Sequence, residues 1–306
     1  MKTLLAALSL IFAFTAAAQA DTIQVDDVFT KTQKWLDEKS LTITGGPSGA
    51  RDDQAAFRQE ALLFYGEAVG NPDHRTFAQR EQMAKRAAVV TAQRALAEYL
   101  EGFALVGDTL VKDGMVQYDV IRSAVSGFVK GSQVAFQEYS KDKDTALAMV
   151  KLGLHGPQGF ASAMYEKMLN DPKAKESLKT DKPAFKTHTI KLDEAYDGLI
   201  IDATDQNFRP ALINRIFATK GEVLYDPAKV SQKVLVEQGC GEYTNSVDKA
   251  KTALASRGVK NPLVVKASGA TTVADLQVTD DDAVMIYSAN QKGKFFMAAR
   301  VAFVLK

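Results

Sequence analysis

The sequence predicts an α+β protein: an alanine-rich helix packed on an antiparallel sheet, followed by a second α+β domain. Three observations carry this. Residues 75–103 hold the longest run of apolar side chains at helical spacing. Residues 133–139 and 145–154 read as two strands joined by the charged turn 141–144, an antiparallel pair beside that helix rather than a doubly wound sheet. After a polar linker the pattern starts afresh, with short strands and helices of its own.

Taken in order, residues 1–20 read as a secretory leader. Lys2 is followed by an apolar run over 4–14 and the small-residue end Ala18, Gln19, Ala20, so cleavage is expected after Ala20. That run is too short to span a bilayer, and no later stretch approaches the ~18 continuous apolar residues of a membrane helix. The expected location is the periplasm or the outer membrane. Removing the leader leaves 286 of the 306 residues, enough for one large domain or two. It also removes one of the 38 basic residues, which leaves them equal to the 37 acidic ones. A chain without net charge has no electrostatic footprint for nucleic acid, so none is expected as a partner.

Residues 21–60 are expected to form a helix and a linker. Val25, Val28, Phe29, Thr32, Trp35 and Leu36 share one helical face, and the Gly/Ser/Pro stretch 44–49 reads as a loop. That stretch lacks the Gly-Lys-Ser/Thr ending of a phosphate-binding loop. Residues 61–170 form the first domain. Residues 62–69 fit a strand, and a helix continuing from Asp52 fits almost as well. In the helix 75–103, Val89, Ala92, Leu96, Tyr99, Leu100 and Phe103 are expected to face inward, and its many alanines make it slim enough to lie close on a sheet. A turn at 112–114, a short helix over 120–128 and the two strands follow, with Ala146, Ala148, Val150, Leu152 and Leu154 as an inward face. A helix over 160–169 leads to the linker 171–183.

Residues 184–306 form the second domain. Strands are expected at 185–191, 199–203, 211–218 and 222–225, the last two joined by a hairpin with Gly221 at the turn. Helices are expected at 227–237 and 246–256, a strand at 263–267, a helix from the Thr279 cap through Ala289, and a closing strand at 296–305.

The inventory of reactive groups yields no catalytic, cofactor-binding or metal-binding residue. His74, His155 and His188 share no metal-ligand spacing and read as ordinary turn or surface residues. Asp280, Asp281 and Asp282 point about a hundred degrees apart on a helix and read as an acidic first turn. Asp202, Asp205 and Asp226 carry no flanking pattern for acid–base work, and no nucleophile elbow is present. Cys240, the single cysteine, has no partner for an internal disulfide and reads as a small buried hydrophobe.

Two blocks are familiar. The first runs from Arg80 to Gly156 and includes AKRAA at 84–88, AQRALAE at 92–98, Gly102, Thr109, VSGFVKG at 125–131 and VKLGLHG at 150–156. It resembles the Lpp-twenty family of bacterial envelope lipoproteins, to which the flagellar P lipoprotein belongs, and the N-terminal domain of the flagellar T protein. The second, YDGLIIDA at 196–203 with RPALINRI at 209–216, is similar to a segment that recurs beside such domains in exported bacterial proteins. The resemblance implies an α+β module that assembles at the outer membrane or around the flagellar base and has no catalytic residues. Members usually carry a lipid-bearing cysteine after the leader; here Ala20 is followed by Asp21. The sequence thus points to a non-enzymatic envelope protein that self-associates or binds other envelope or flagellar proteins. The alternative is a periplasmic module with a pocket for a small ligand or polymer.

Overall fold

The structure, a computed structural model, describes residues 27–73, 76–101, 125, 128–129, 132–156, 158–172, 175 and 179–306. The leader, the turn at 112–114, His74, Phe103 and most of the helix expected over 120–128 lie outside the described residues. Among the described residues the fold is mixed α+β with more than one domain.

Helix α1 (Asp27–Lys39) and the short helix α2 (Asp53–Arg58) precede strand β1 (Ala61–Val69). Helix α3 (Phe77–Glu101) then crosses a three-stranded antiparallel sheet whose order is β1, β3 (Thr145–Gly153), β2 (Gln133–Ser140). Both faces of this sheet are covered. Leu62 and Phe64 point into the main core, while Leu63, Tyr65 and Met149 pack under Leu36 of α1. Lys31 of α1 reaches Glu138 of β2 at 3.0 Å, and Trp35 lies 5.2 Å from Phe136. A strand buried on both faces has no alternation to read, which is why 62–69 suited a helix almost as well.

The inward stripe of α3 is Ala84, Ala88, Ala92, Ala95, Leu96, Tyr99 and Leu100. It differs from the expected face in substituting alanines for Val89, which is only partly buried. The reason lies in β1. A Cβ on Gly66 would come within 2.3 Å of both the Ala88 carbonyl oxygen and the Ala92 nitrogen, so helix backbone rests almost on strand backbone. Gly66 is paired across the sheet with another small residue, Ala148. Larger side chains would lift the helix off.

Helix α4 (Phe160–Asn170) closes the first unit. The second unit contains a four-stranded sheet in the order β7 (Glu242–Thr244), β11 (Val301–Val304), β4 (Gly198–Asp202), β8 (Pro262–Lys266), and all its pairings are parallel. Helix α6 (Val247–Ser256) covers one face through Ala250 and Leu254, against Ile200, Ala302 and Val304. The opposite face, with Leu199, Ile201, Val265 and Phe303, joins the main core. There it meets a mixed sheet ordered β6 (Val223–Tyr225), β5 (Arg215–Ala218), β10 (Asp275–Val278), β9 (Gly269–Thr272), together with helix α7 (Asp280–Gly293).

Several expected elements change. Residues 185–191 form no strand: a single bridge joins Ala184 to Val223, and Phe185 donates to the Val223 carbonyl at 2.9 Å. The strand expected at 211–218 begins only at Arg215, because the Asn214 side chain bends the preceding loop by accepting from the Ala211 amide at 2.9 Å. The helix expected at 227–237 divides into a 3₁₀ turn (Pro227–Lys229) and α5 (Gln232–Gln238), since Ser231 is extended and caps the second piece. The closing strand is confined to Val301–Val304, preceded by turns with Lys294 and Ala299 at positive φ. Helix α7 runs past Ala289 to Gly293, and its Thr279 cap accepts from the Asp282 amide at 3.1 Å. The 219–221 hairpin turn is present, with Gly221 at φ 84.

The contact between α3 and β1 is tested by Gly66→Ala. We expect a loss of about 1–3 kcal/mol in urea unfolding, from overpacking against immovable backbone. Gly153→Ala is the control, since an added Cβ there meets nothing nearer than 3.8 Å and stability should hold.

Candidate functional site

Among the described residues, a cluster of buried polar side chains lies where the two units meet. Tyr165 comes from α4, Tyr225 from the end of β6, Tyr243 from the middle of β7, Cys240 from the loop before β7, and Asn214 from the residue preceding β5. All five are buried. The Cys240 thiol donates to the Leu212 carbonyl at 3.2 Å, and the Tyr165 and Tyr243 hydroxyls each lie 3.9 Å from its sulfur. The Tyr165 hydroxyl donates to the Leu212 carbonyl, and the Tyr225 hydroxyl donates to that of Cys240. Tyr243 reaches the Ala211 carbonyl at 3.0 Å and the Asn214 side-chain oxygen. The Asn214 amide nitrogen donates to the carbonyls of Arg209 and Ala274.

Each polar atom in this cluster therefore has a main-chain or side-chain partner, as a dry interior requires. Burial pushes the Cys240 thiol up and the three phenols well above their ordinary range, so the cluster stays neutral. A thiol so protonated and enclosed is a poor nucleophile. The chemistry of the cluster is structural. Its aromatic rings continue it across the junction: Phe57 of α2 meets Tyr243 edge-on at 5.0 Å, and Tyr243 stacks on Phe303 at 5.4 Å.

A second, charged group sits on the same junction. The Arg257 guanidinium binds the Glu242 carboxylate at 2.6 Å, the Ala299 carbonyl at 2.9 Å and the Gln238 carbonyl at 3.1 Å. Across from it stand Glu60 and His155 of the first unit. Burial, then the neighbouring Glu242 charge, raises the Glu60 carboxyl, while Arg257 pulls it down. The His155 ring lies against Gly239, where a Cβ would meet its Cε1 at 2.6 Å. Burial and the Arg257 charge lower its pKa to about 4.

A third buried group ties β5 to its surroundings. Arg215 is fully enclosed; its amide donates to the Asp275 carboxylate at 3.1 Å and its Nη2 reaches the Lys179 carbonyl at 3.5 Å. Nearby, burial raises the Asp226 carboxyl and lowers the Lys229 amine, which donates to the Val223 and Leu224 carbonyls.

With this geometry established, the second unit has a counterpart. The family model of the second domain of Treponema pallidum Tp0624 matches residues 198–306. The match opens on the first residue of β4 and covers both sheets of the second unit, leaving the first unit unmatched. Comparison with curated proteins gives no match.

The residues singled out from sequence are dispersed. Asp202 accepts from Thr204, at 3.0 Å from its amide and 2.7 Å from its hydroxyl. Asp205 pairs with Lys266 at 2.6 Å, which lowers its pKa. Asp226 is buried beside Lys229, and Asp280–Asp282 form the first turn of α7. Among the described residues no group of three His, Cys, Asp or Glu side chains is placed to hold a metal. His188 is exposed. His155 lies in the bend between β3 and α4 and is half-buried in the junction. The missed members of the cluster, Tyr165, Tyr225, Tyr243 and Asn214, carry no local signal, because only the fold brings them together.

Tyr243→Phe should lower stability by about 1–2 kcal/mol, the usual effect of removing a buried hydrogen bond. Cys240→Ala should cost less, because Tyr165 and Tyr243 keep their carbonyl acceptors. Urea midpoints of the two variants at unchanged slope check this ordering.

Proposed function

We propose that the protein is an exported, non-catalytic module of the bacterial cell envelope that works by assembly, with itself or with other envelope or flagellar proteins. The leader at 1–20 and the Lpp-twenty resemblance over 80–156 support the location. The fate of the reactive side chains supports a non-catalytic role: Cys240 is sealed, Asp280–Asp282 cap a helix, and Asp205 neutralises Lys266.

One observation favours assembly most. Strand β9 ends its sheet, and its Ala270 and Thr271 both stand exposed. It reads Gly-Ala-Thr-Thr, with no charge or proline to blunt it, and Val273 beside it is 49 % exposed. Such an edge offers unpaired backbone groups to a strand from another chain. The edge of β8 differs, since it opens on Pro262 and carries Lys266, devices that discourage pairing.

Native mass measurement of the exported protein should show a mature chain beginning at Asp21 and species larger than one copy, or a cross-linked envelope partner in cells. Thr271→Lys should weaken the association at least several-fold by placing a charge on the edge. A protein that stays monomeric at high concentration and captures no envelope partner would overturn the assignment.

A further inference from the structure

The charged half of the junction differs from the tyrosine–cysteine half in one respect. His155 Nδ1 is enclosed and has no hydrogen-bond partner among the described residues. A neutral imidazole tolerates this, because one ring nitrogen is merely an acceptor. An imidazolium does not, because both nitrogens then carry protons that need acceptors. The groups around it make protonation worse. Gly239, at φ 72, presses the ring from one side, and the Arg257 guanidinium adds a like charge. Of the carboxylates nearby, Glu242 of β7 is paired with that same guanidinium, and the Glu60 carboxyl at the turn into β1 is raised by its burial.

We propose that the contact between the two units is an acid-sensitive latch, in which neutral His155 keeps the junction closed and its protonation opens it. Opening separates the first-unit residues Glu60, His155 and Tyr165 from the second-unit residues Gly239, Cys240 and Arg257. The device is independent of the assembly reading above.

The direction follows from linkage. In the closed junction His155 takes up its proton only near pH 4, against 6.5 when free. The closed form is therefore fully favoured above pH 6.5 and loses ground as pH falls from there toward 4, by up to tenfold per pH unit. Glu60 works in the opposite sense. Its carboxyl is raised in the closed form, so falling pH through its raised range favours closure.

Cys240 reports the opening, because Tyr165 of the first unit covers its buried thiol. The experiment labels the intact chain with 4,4′-dithiodipyridine between pH 7 and pH 5 and divides each rate by that of the urea-unfolded chain at the same pH. Protection should fall about twentyfold over those two units, because the free imidazole takes up its proton only from about pH 6.5 downward. His155→Gln should hold protection constant within twofold, and Glu60→Gln should steepen the fall. Protection that stays level in the parent protein, or that falls equally in His155→Gln, overturns the latch. The same chain carries only three histidines, so NMR titration gives an independent decision should His155→Gln fail to fold. A His155 resonance titrating near pH 4 supports the latch, and one titrating near 6.5 overturns it.

Discussion

Tyr243 is the side chain on which the two halves of this protein depend. Its ring is held between Phe57 of the first unit and Phe303 at the centre of the parallel sheet. Its hydroxyl has left water entirely, and a buried hydroxyl without a partner costs about 1–3 kcal/mol. That requirement propagates. It calls for an acceptor at Asn214, whose amide in turn holds the Arg209 and Ala274 carbonyls. Those bonds fix the entries into β5 and β10, which run in parallel with Arg215 opposite Asp275. The register of the mixed sheet, the bend before β5 and the docking of α2 thus share one origin, a phenol placed in a dry interior.

The first unit was legible because its signals are local. Alternation over 145–154, the charged turn before it and the length of the alanine-rich helix each specify an element from a few neighbouring residues. The periodicity placed Ala92, Leu96, Tyr99 and Leu100 on the inner face of α3 but missed the alanines Ala84, Ala88 and Ala95 that extend it. That extension is set by Gly66, a residue on another element, whose missing side chain admits the alanine stripe and excludes a bulkier one.

The second unit was less legible for a physical reason. Its central strands β4 and β11 are buried on both faces, so Leu199 to Ile201 and Val301 to Val304 are apolar without alternation. The apolar run preceding β11 looked like an extension of the strand, although Phe295 and Phe296 pack from turns into the core. Strands of three or four residues, such as β7, β9 and β10, offer too few positions for any period to show. The candidate site was illegible for a further reason. Tyr165, Asn214, Tyr225, Cys240 and Tyr243 come from five separate places in the chain, and each taken alone is an ordinary core residue.

The junction therefore combines two kinds of contact with different consequences. The tyrosine–cysteine cluster is neutral and fully hydrogen-bonded, so its contribution to holding the units together does not change over the pH range in which proteins work. The group around Arg257 is charged, half-buried and leaves one imidazole nitrogen unmatched. Ion pairs of this kind gain little over water unless every proton finds an acceptor, and here Arg257 has three acceptors while the enclosed Nδ1 of His155 has none among the described residues. A junction built only from the first kind of contact would be stable and indifferent to its surroundings. Placing the second kind beside it leaves the closed arrangement intact at neutral pH while making its strength depend on the proton of His155 and, in the opposite sense, on that of Glu60.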